Sequence, residues 1–404
     1  MLSEVKEYYN ILNIIMVKLF FFGCWGYLGE GSGLEKVFAS LNKEVSEGDH
    51  VVILGDNYYP SKKIKSEGKK KNYFTSDVEM ANIFDNLIHL KEKNCHIHLL
   101  MGNHEHKDDT ITEEEYREMR REMKEKGQSG GLRLIQKGDP TTFKTFALEY
   151  KYIQTLGLNS DIGTCPIEGL PHTLLLKLDT NMLAGELPYD YDYNGDFTAY
   201  SLIRNQNFRG IRRVFICGHI PIGSKIYKKG KHELDQSLPI QLYDLMFELV
   251  KNIKSKNKRI KIYYMCADTH YFQRAEIEMK RWGESYQLEQ FVAGTGGNKL
   301  DPWTEDENEE MEYDSVKGQT EFHYKIIETR HKHGYVMVTD TGEPNFISVS
   351  SHEGGGYKEV KSGHKSKRKT NKRKNKKRKT NKRKTKKLKR KPKRKTKRKS
   401  KKRK

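Results

Sequence analysis

The sequence predicts an α/β (α+β) body followed by a basic tail that packs into nothing, and three observations carry that expectation. Apolar runs of strand length alternate with amphipathic runs of helix length from Val17 to Val349. Each apolar run ends in a short loop rich in Asp, Asn, His or Gly. Charge is also partitioned. Residues 361–404 hold 30 Lys and Arg and no Asp or Glu. Removing them from the 76 basic residues of the chain leaves 46 against 54 acidic ones, so the formal +22 is a body of −8 with a tail of +30.

The elements follow in order. Val17–Phe22 reads as a strand ending in Gly23-Cys24-Trp25-Gly26, and Leu34–Leu41 as a short helix. His50–Leu54 is a strand that runs into Gly55-Asp56-Asn57-Tyr58-Tyr59-Pro60. A basic loop, Lys62–Lys71, precedes an amphipathic helix over Asp77–Glu92, with Val78, Ile83, Leu87 and Leu90 near helical spacing. Strand His96–Leu100 ends in Met101-Gly102-Asn103-His104-Glu105-His106. Thr173–Leu178 runs into Asp179-Thr180-Asn181, and Arg213–Cys217 into Gly218-His219-Ile220-Pro221. Leu242–Ile253 is helical, Ile260–Met265 is a strand leading to Asp268-Thr269-His270, and Phe291–Ala293 leads into Gly294-Thr295-Gly296-Gly297. The acidic stretch Thr304–Glu312 reads as a surface loop. In sheets covered by helices, ligands gather beyond the carboxyl ends of the strands, so these loops are expected to converge.

Composition bounds the function class. Five cysteines without a CxxC pair argue against a disulfide framework and for a reducing, intracellular setting. The opening MLSEVKEYYN lacks the basic start of a secretory signal, and Ile11–Phe22, broken by Asn13 and Lys18, is too short to span a bilayer as a helix. Met16 is an alternative initiator. The expected organisation is an extension over 1–15, one domain over 16–350, a Gly-rich hinge over 351–360 and an unstructured tail over 361–404.

Four loops together supply Asp56, Tyr59, Asn103, His104, His219, Asp268 and His270. Oxygen and imidazole donors at successive strand ends suit a pair of metal ions, because one carboxylate can bridge two cations while neutral ligands limit the charge. A lone Gly-Asp is most often a turn and a lone Gly-His most often structural. The ordered set is more specific than any of its members.

Gly55-Asp56-Asn57, Gly102-Asn103-His104-Glu105 and Gly218-His219, in that order, resemble the calcineurin-like metallophosphoesterase superfamily. Three further stretches are similar to its purple acid phosphatase (tartrate-resistant type) branch: Asp56-Asn57-Tyr58-Tyr59, Leu178-Asp179-Thr180 and Asp268-Thr269-His270-Tyr271-Phe272-Gln273. The resemblance covers about four-fifths of the chain. It implies a two-layer β-sandwich flanked by helices, with two metal ions at one edge, iron with zinc or manganese. Asp56 would bridge them. Tyr59 and His270 would bind the first, Asn103 and His219 the second, and His104 would stabilise charge or protonate the leaving oxygen of a phosphomonoester attacked by a metal-bound hydroxide.

Two positions depart from that pattern. The branch carries Asp where this chain has Cys24, and His where it has Asp268. A thiolate binds zinc or iron but is softer than a carboxylate. Asp268 remains a candidate ligand that favours Mn²⁺ or Mg²⁺. Cys24 reads equally well as a small buried residue at a strand end.

The remaining candidates have plainer readings. His96 and His98 alternate along a strand as packing or surface residues, His106 belongs to an outer shell, and Trp25 is a substrate wall or core. Cys217 and Cys266 fill core strands. Gly294–Gly297 lacks the Lys of a P-loop and fits a turn lining the site. The tail, with no aromatic residue, binds polyanions by counterion release without reading bases. It gives the protein a nucleic-acid or other polyanion partner and a nuclear, nucleolar or virion-associated place, or else neutralises the acidic body. Two functions follow: a metal-dependent phosphoesterase tethered by its tail, or a catalytically weakened protein of that fold serving in nucleic-acid packaging.

Overall fold

Two β-sheets lie face to face, and helices cover the outer side of each. The computed structural model describes residues 17–59, 62–65, 71–74, 77–104, 153, 156–158, 163–178, 180, 206–228, 231–238, 240–302, 310–340 and 342–349. They all fall within one compact unit that closes at Ser351.

The first sheet is built from β1 (Leu19–Phe22), β2 (His50–Ile53) and β5 (His96–Leu99), mutually parallel, extended by antiparallel β16 (Gly334–Val338) and β17 (Asn345–Ser348) in the order β17-β16-β1-β2-β5. All four side chains of β1, Leu-Phe-Phe-Phe, are buried, as a parallel strand covered on both faces requires. Its outer face carries α1 (Leu34–Glu44) and α2 (Asp77–Glu92). Helix α1 presents Leu34, Val37, Phe38 and Leu41 at i, i+3, i+4 and i+7, one apolar stripe.

The second sheet has eight strands, in the order β14-β15-β12-β13-β11-β8-β7-β6. Its parallel heart is β7 (Thr173–Lys177), β8 (Arg213–Cys217), β11 (Lys261–Cys266) and β13 (Glu284–Ala293). β6 (Gly163–Pro166), β12 (Phe272–Arg281), β14 (Met311–Lys317) and β15 (Thr320–Arg330) pair antiparallel. Helix α3 (Ile240–Lys256) packs Tyr243, Phe247 and Val250 on its outer face. Between the sheets lies a third apolar cluster, with Phe21, Val52 and Val336 from the first sheet against Phe215, Met265 and Phe291 from the second. The two-layer sandwich with flanking helices is therefore the observed architecture.

Some expectations need correction. Lys62–Lys71 is not simply a loop: β3 (Lys62–Lys65) and β4 (Lys71–Phe74) pair antiparallel. Met311 and Glu312 belong to β14 rather than to an acidic loop, while 304–309 lie outside the described residues. The Leu34 helix runs on to Glu44, and the third helix spans Ile240–Lys256. A further hairpin, β9 (Ser224–Lys228) with β10 (Lys231–Asp235), follows the His219 loop. Among the described residues no helix is long and apolar enough to cross a membrane.

Candidate metal centre

The loops after β1, β2, β5, β8 and β11 meet at one edge of the sandwich, where parallel strands of both sheets end together. Backbone hydrogen bonds stitch them: Cys24 N donates to Gly55 O (2.9 Å), Tyr59 N to Gly26 O (3.0 Å) and Ala267 N to His219 O (2.8 Å). Close approach demands glycine at Gly55, where φ is +92° and a Cβ would lie 2.6 Å from Gly102 N and 2.8 Å from His219 Nδ1. Cys24, Asp56 and Asp268 adopt φ of 53°, 54° and 59° without being glycine, a costly conformation that turns three candidate ligands out of their strands at one place.

Every candidate ligand from the sequence reaches this edge, and Asp56 is the hub. Its Oδ2 accepts a hydrogen bond from Tyr59 Oη (2.7 Å), and that hydroxyl lies 3.2 Å from His270 Nε2. Cys24 Sγ stands 3.9 Å from the same Oδ2, and His104 Nε2 4.0 Å from it. The other oxygen, Oδ1, accepts from the His104 backbone N–H (2.9 Å) and lies 3.3 Å from His219 Nε2. His219 Nε2 is in turn 3.5 Å from Asp268 Oδ1, to which Asn103 Nδ2 donates at 2.6 Å. Cys24, Asp56 and His219 are all buried, and their donor atoms lie within 4.8 Å of one another.

Electrostatics follow from this crowding. Burial opposes ionisation of Asp56, but the His219 and then the His104 rings hold its carboxyl well below the usual carboxylate range. Burial likewise opposes charge on His219, yet Asp56 and Asp268 raise its imidazole to about 9. The Cys24 thiol and the Tyr59 phenol are both pushed up, first by burial and then by the Asp56 charge.

The donors suit a metal. His219 Nδ1 is engaged by Leu54 O at 2.7 Å, whereas its Nε2 is buried without a hydrogen-bond partner, an orphan facing two carboxylates. Ligand atoms sharing one cation at bonds of about 2.1 Å lie roughly 3 Å apart, close to the 2.7 Å from Tyr59 Oη to Asp56 Oδ2 and the 3.3 Å from His219 Nε2 to Oδ1. No other His, Cys, Asp and Glu cluster among the described residues brings donors together in this way.

Neighbouring residues sort themselves. Trp25 is core: fully buried against Phe38 and Phe84, it donates through Nε1 to Asn57 Oδ1 (2.9 Å), while Asn57 Nδ2 donates to Leu100 O. Cys217 and Cys266 are buried fillers. His98 is buried beside His50 and His96 is half-exposed. Asp179 and His106 lie outside the described residues. The sequence reading passed over Thr180, whose Oγ1 accepts from the backbone N–H groups of His219 and Ile220 (both 3.0 Å). It also passed over Asn298 and Asp301, which follow the Gly294–Gly297 turn and touch His270. Their only signal was position, beyond a sixth strand end.

The family model described as calcineurin-like phosphoesterase matches residues 17–272, more than half of the chain. No curated protein sequence matches. Among solved structures, the chain is similar to one titled "GAP50 the anchor in the inner membrane complex of Plasmodium" (10% identity, 84% of this chain and 90% of that one, TM-score 0.38). It is also similar to one titled "Structure of PhoD" (13% identity, 84% and 73%, TM-score 0.42).

Proposed function

The chain belongs to the calcineurin-like phosphoesterase family, and we propose that it hydrolyses phosphomonoesters with two cations held on either side of Asp56, as in the purple acid phosphatase branch. The observation that carries this reading is the division of labour at one carboxylate: Oδ2 faces Tyr59, which reaches His270, whereas Oδ1 faces His219, which reaches Asp268. Tyr59, His270 and Cys24 would hold one cation, and His219, Asp268 and Asn103 the other. When bound, the pair supplies Lewis acidity, polarising a phosphoryl oxygen and lowering the pKa of water toward neutrality.

The chain's own residues supply the rest. The His219 and His104 rings hold the Asp56 carboxyl well below the usual carboxylate range, which favours its anionic form. His219 donates Nδ1–H to Leu54 O, which fixes the tautomer and leaves Nε2 for a ligand. The partly exposed His104 ring stands at the mouth, placed to stabilise charge on the phosphoryl group or to give a proton to the departing oxygen.

The tail, residues 361–404, would hold this domain near nucleic acid or another polyanion and direct it to an intracellular site, nuclear, nucleolar or in a virion; its 30 positive charges support that reading. The rival reading, an inert packaging protein, draws on Cys24, which sits within the inter-sheet apolar cluster with its thiol held neutral.

Hydrolysis separates the two. The full chain, loaded in turn with Mn²⁺, Zn²⁺ or iron, should cleave an aryl phosphate, and chelation should stop it. Failure with all three metals would leave the packaging reading.

A further inference from the structure

The ring of His270, a candidate ligand, is held by two residues of another loop, Asn298 and Asp301. Strand β13 ends at Ala293, and the turn beyond it is tied to the end of β1: Gly296 N donates to Gly23 O (3.0 Å) and Asn298 N to Cys24 O (2.8 Å). This anchoring carries Asn298 and Asp301 up to His270. Asp301 Oδ2 accepts the His270 backbone N–H at 2.9 Å, and Oδ1 lies 3.3 Å from His270 Nδ1. Asn298 Nδ2 lies on the ring edge between the two nitrogens, 3.0 Å from Nε2 and 3.4 Å from Nδ1. The Asp301 backbone carbonyl accepts from His331 Nε2 at 2.6 Å, which fixes the loop from behind.

A neutral imidazole carries one proton on two nitrogens, and a carboxylate beside Nδ1 draws it there. We propose that Asp301 is a positioning residue that locks His270 in its Nδ1–H form, so that the Nε2 lone pair faces Tyr59 and Asp56, with Asn298 donating to that lone pair in the metal-free protein. The role rests on the metal-site reading above, where a ligating histidine must offer an unprotonated nitrogen. Carboxylates behind ligating histidines commonly tune metal affinity in this way.

Asp301→Asn tests the lock with almost no change of shape. The amide oxygen must stay on the His270 backbone N–H, which can only donate. The amide NH₂ then faces Nδ1 and requires it to accept, which moves the proton to Nε2. Nitrogen-15 spectra of the metal-free full chain, labelled at histidine and assigned with His270→Gln, should show Nδ1 protonated in the wild type and Nε2 protonated in D301N. Zinc or manganese affinity, measured by calorimetry, should fall about 10- to 100-fold in D301N. If D301N does not fold, Asp301→Ala should give a mixture of the two tautomers with a similar loss of affinity. An unchanged tautomer in the variant, or Nε2 protonated in the wild type, overturns the proposal. So does wild-type affinity in a variant whose tautomer has switched. A switch in tautomer with no metal bound by the wild type would uphold the lock and contradict the two-cation reading instead.

Discussion

At Asp56 one carboxylate serves two neighbourhoods, with Tyr59 at 2.7 Å on one oxygen and His219 at 3.3 Å on the other, so the charge matters more than the shape. Asp56→Asn keeps the volume and removes the anion. It should reduce bound metal below one equivalent and lower hydrolysis by about two orders of magnitude or more, read from metal content and kcat of the same preparation. Cys24→Asp puts a hard oxygen where a thiol stands 3.9 Å from Asp56, and it should raise Mn²⁺ affinity relative to Zn²⁺ in competition titrations. At this scale the sequence was readable where a side chain directly follows an apolar strand: Asp56, Tyr59, Asn103, His104, His219, Asp268 and His270 all meet at one edge. It was silent where the link is a contact between distant loops. Nothing in the spacing tells that Thr180 holds the backbone of His219, or that Asp301, 31 residues past His270, closes on its ring.

The elements bring their own constraints. Gly55, at φ +92° with Gly102 and His219 pressed against it, admits no Cβ; Gly55→Ala should cost about 2 kcal/mol or more in urea unfolding and disorder the centre together with the fold. A second polar group lies within the strands. His50 Nδ1 and His98 Nε2 are 3.0 Å apart, both rings are buried, and the His96 ring stacks on His50. Burial first, then the neighbouring cations, lowers His50 to about 4 and His98, which also faces Lys177, to about 3. An unfolded histidine titrates near about 6.5. As pH falls below that value the unfolded chain takes up protons that the folded one refuses, so stability present at pH 7 is lost toward pH 3. The expected loss is about a few kcal/mol, and His98→Gln should flatten it in urea midpoints compared between pH 7 and pH 4. Continuous apolar strands such as β1 and β8 were legible. Those alternating with charge were not: β12 reads Phe-Gln-Arg-Ala-Glu-Ile-Glu-Met-Lys-Arg, and its pairing with β15 shifts register between Arg274 and Ala275. The exposed half of β14 likewise resembles an acidic loop.

At the scale of the whole molecule, length and net charge were the least informative numbers until the chain was divided. The +22 joins a body of −8, whose strand ends gather donors for cations, to a tail of +30 suited to polyanions. Deleting residues 361–404 should abolish salt-sensitive binding to DNA while leaving kcat and KM for an aryl phosphate unchanged. Equal DNA affinity with and without the tail would refute the tether. The central claim is that Asp56 lies between two cations, and anomalous diffraction from crystals grown with the activating metal tests it most directly. Two peaks are expected, one beside Tyr59 and His270 and one beside His219 and Asp268; a single peak, or none, would contradict it.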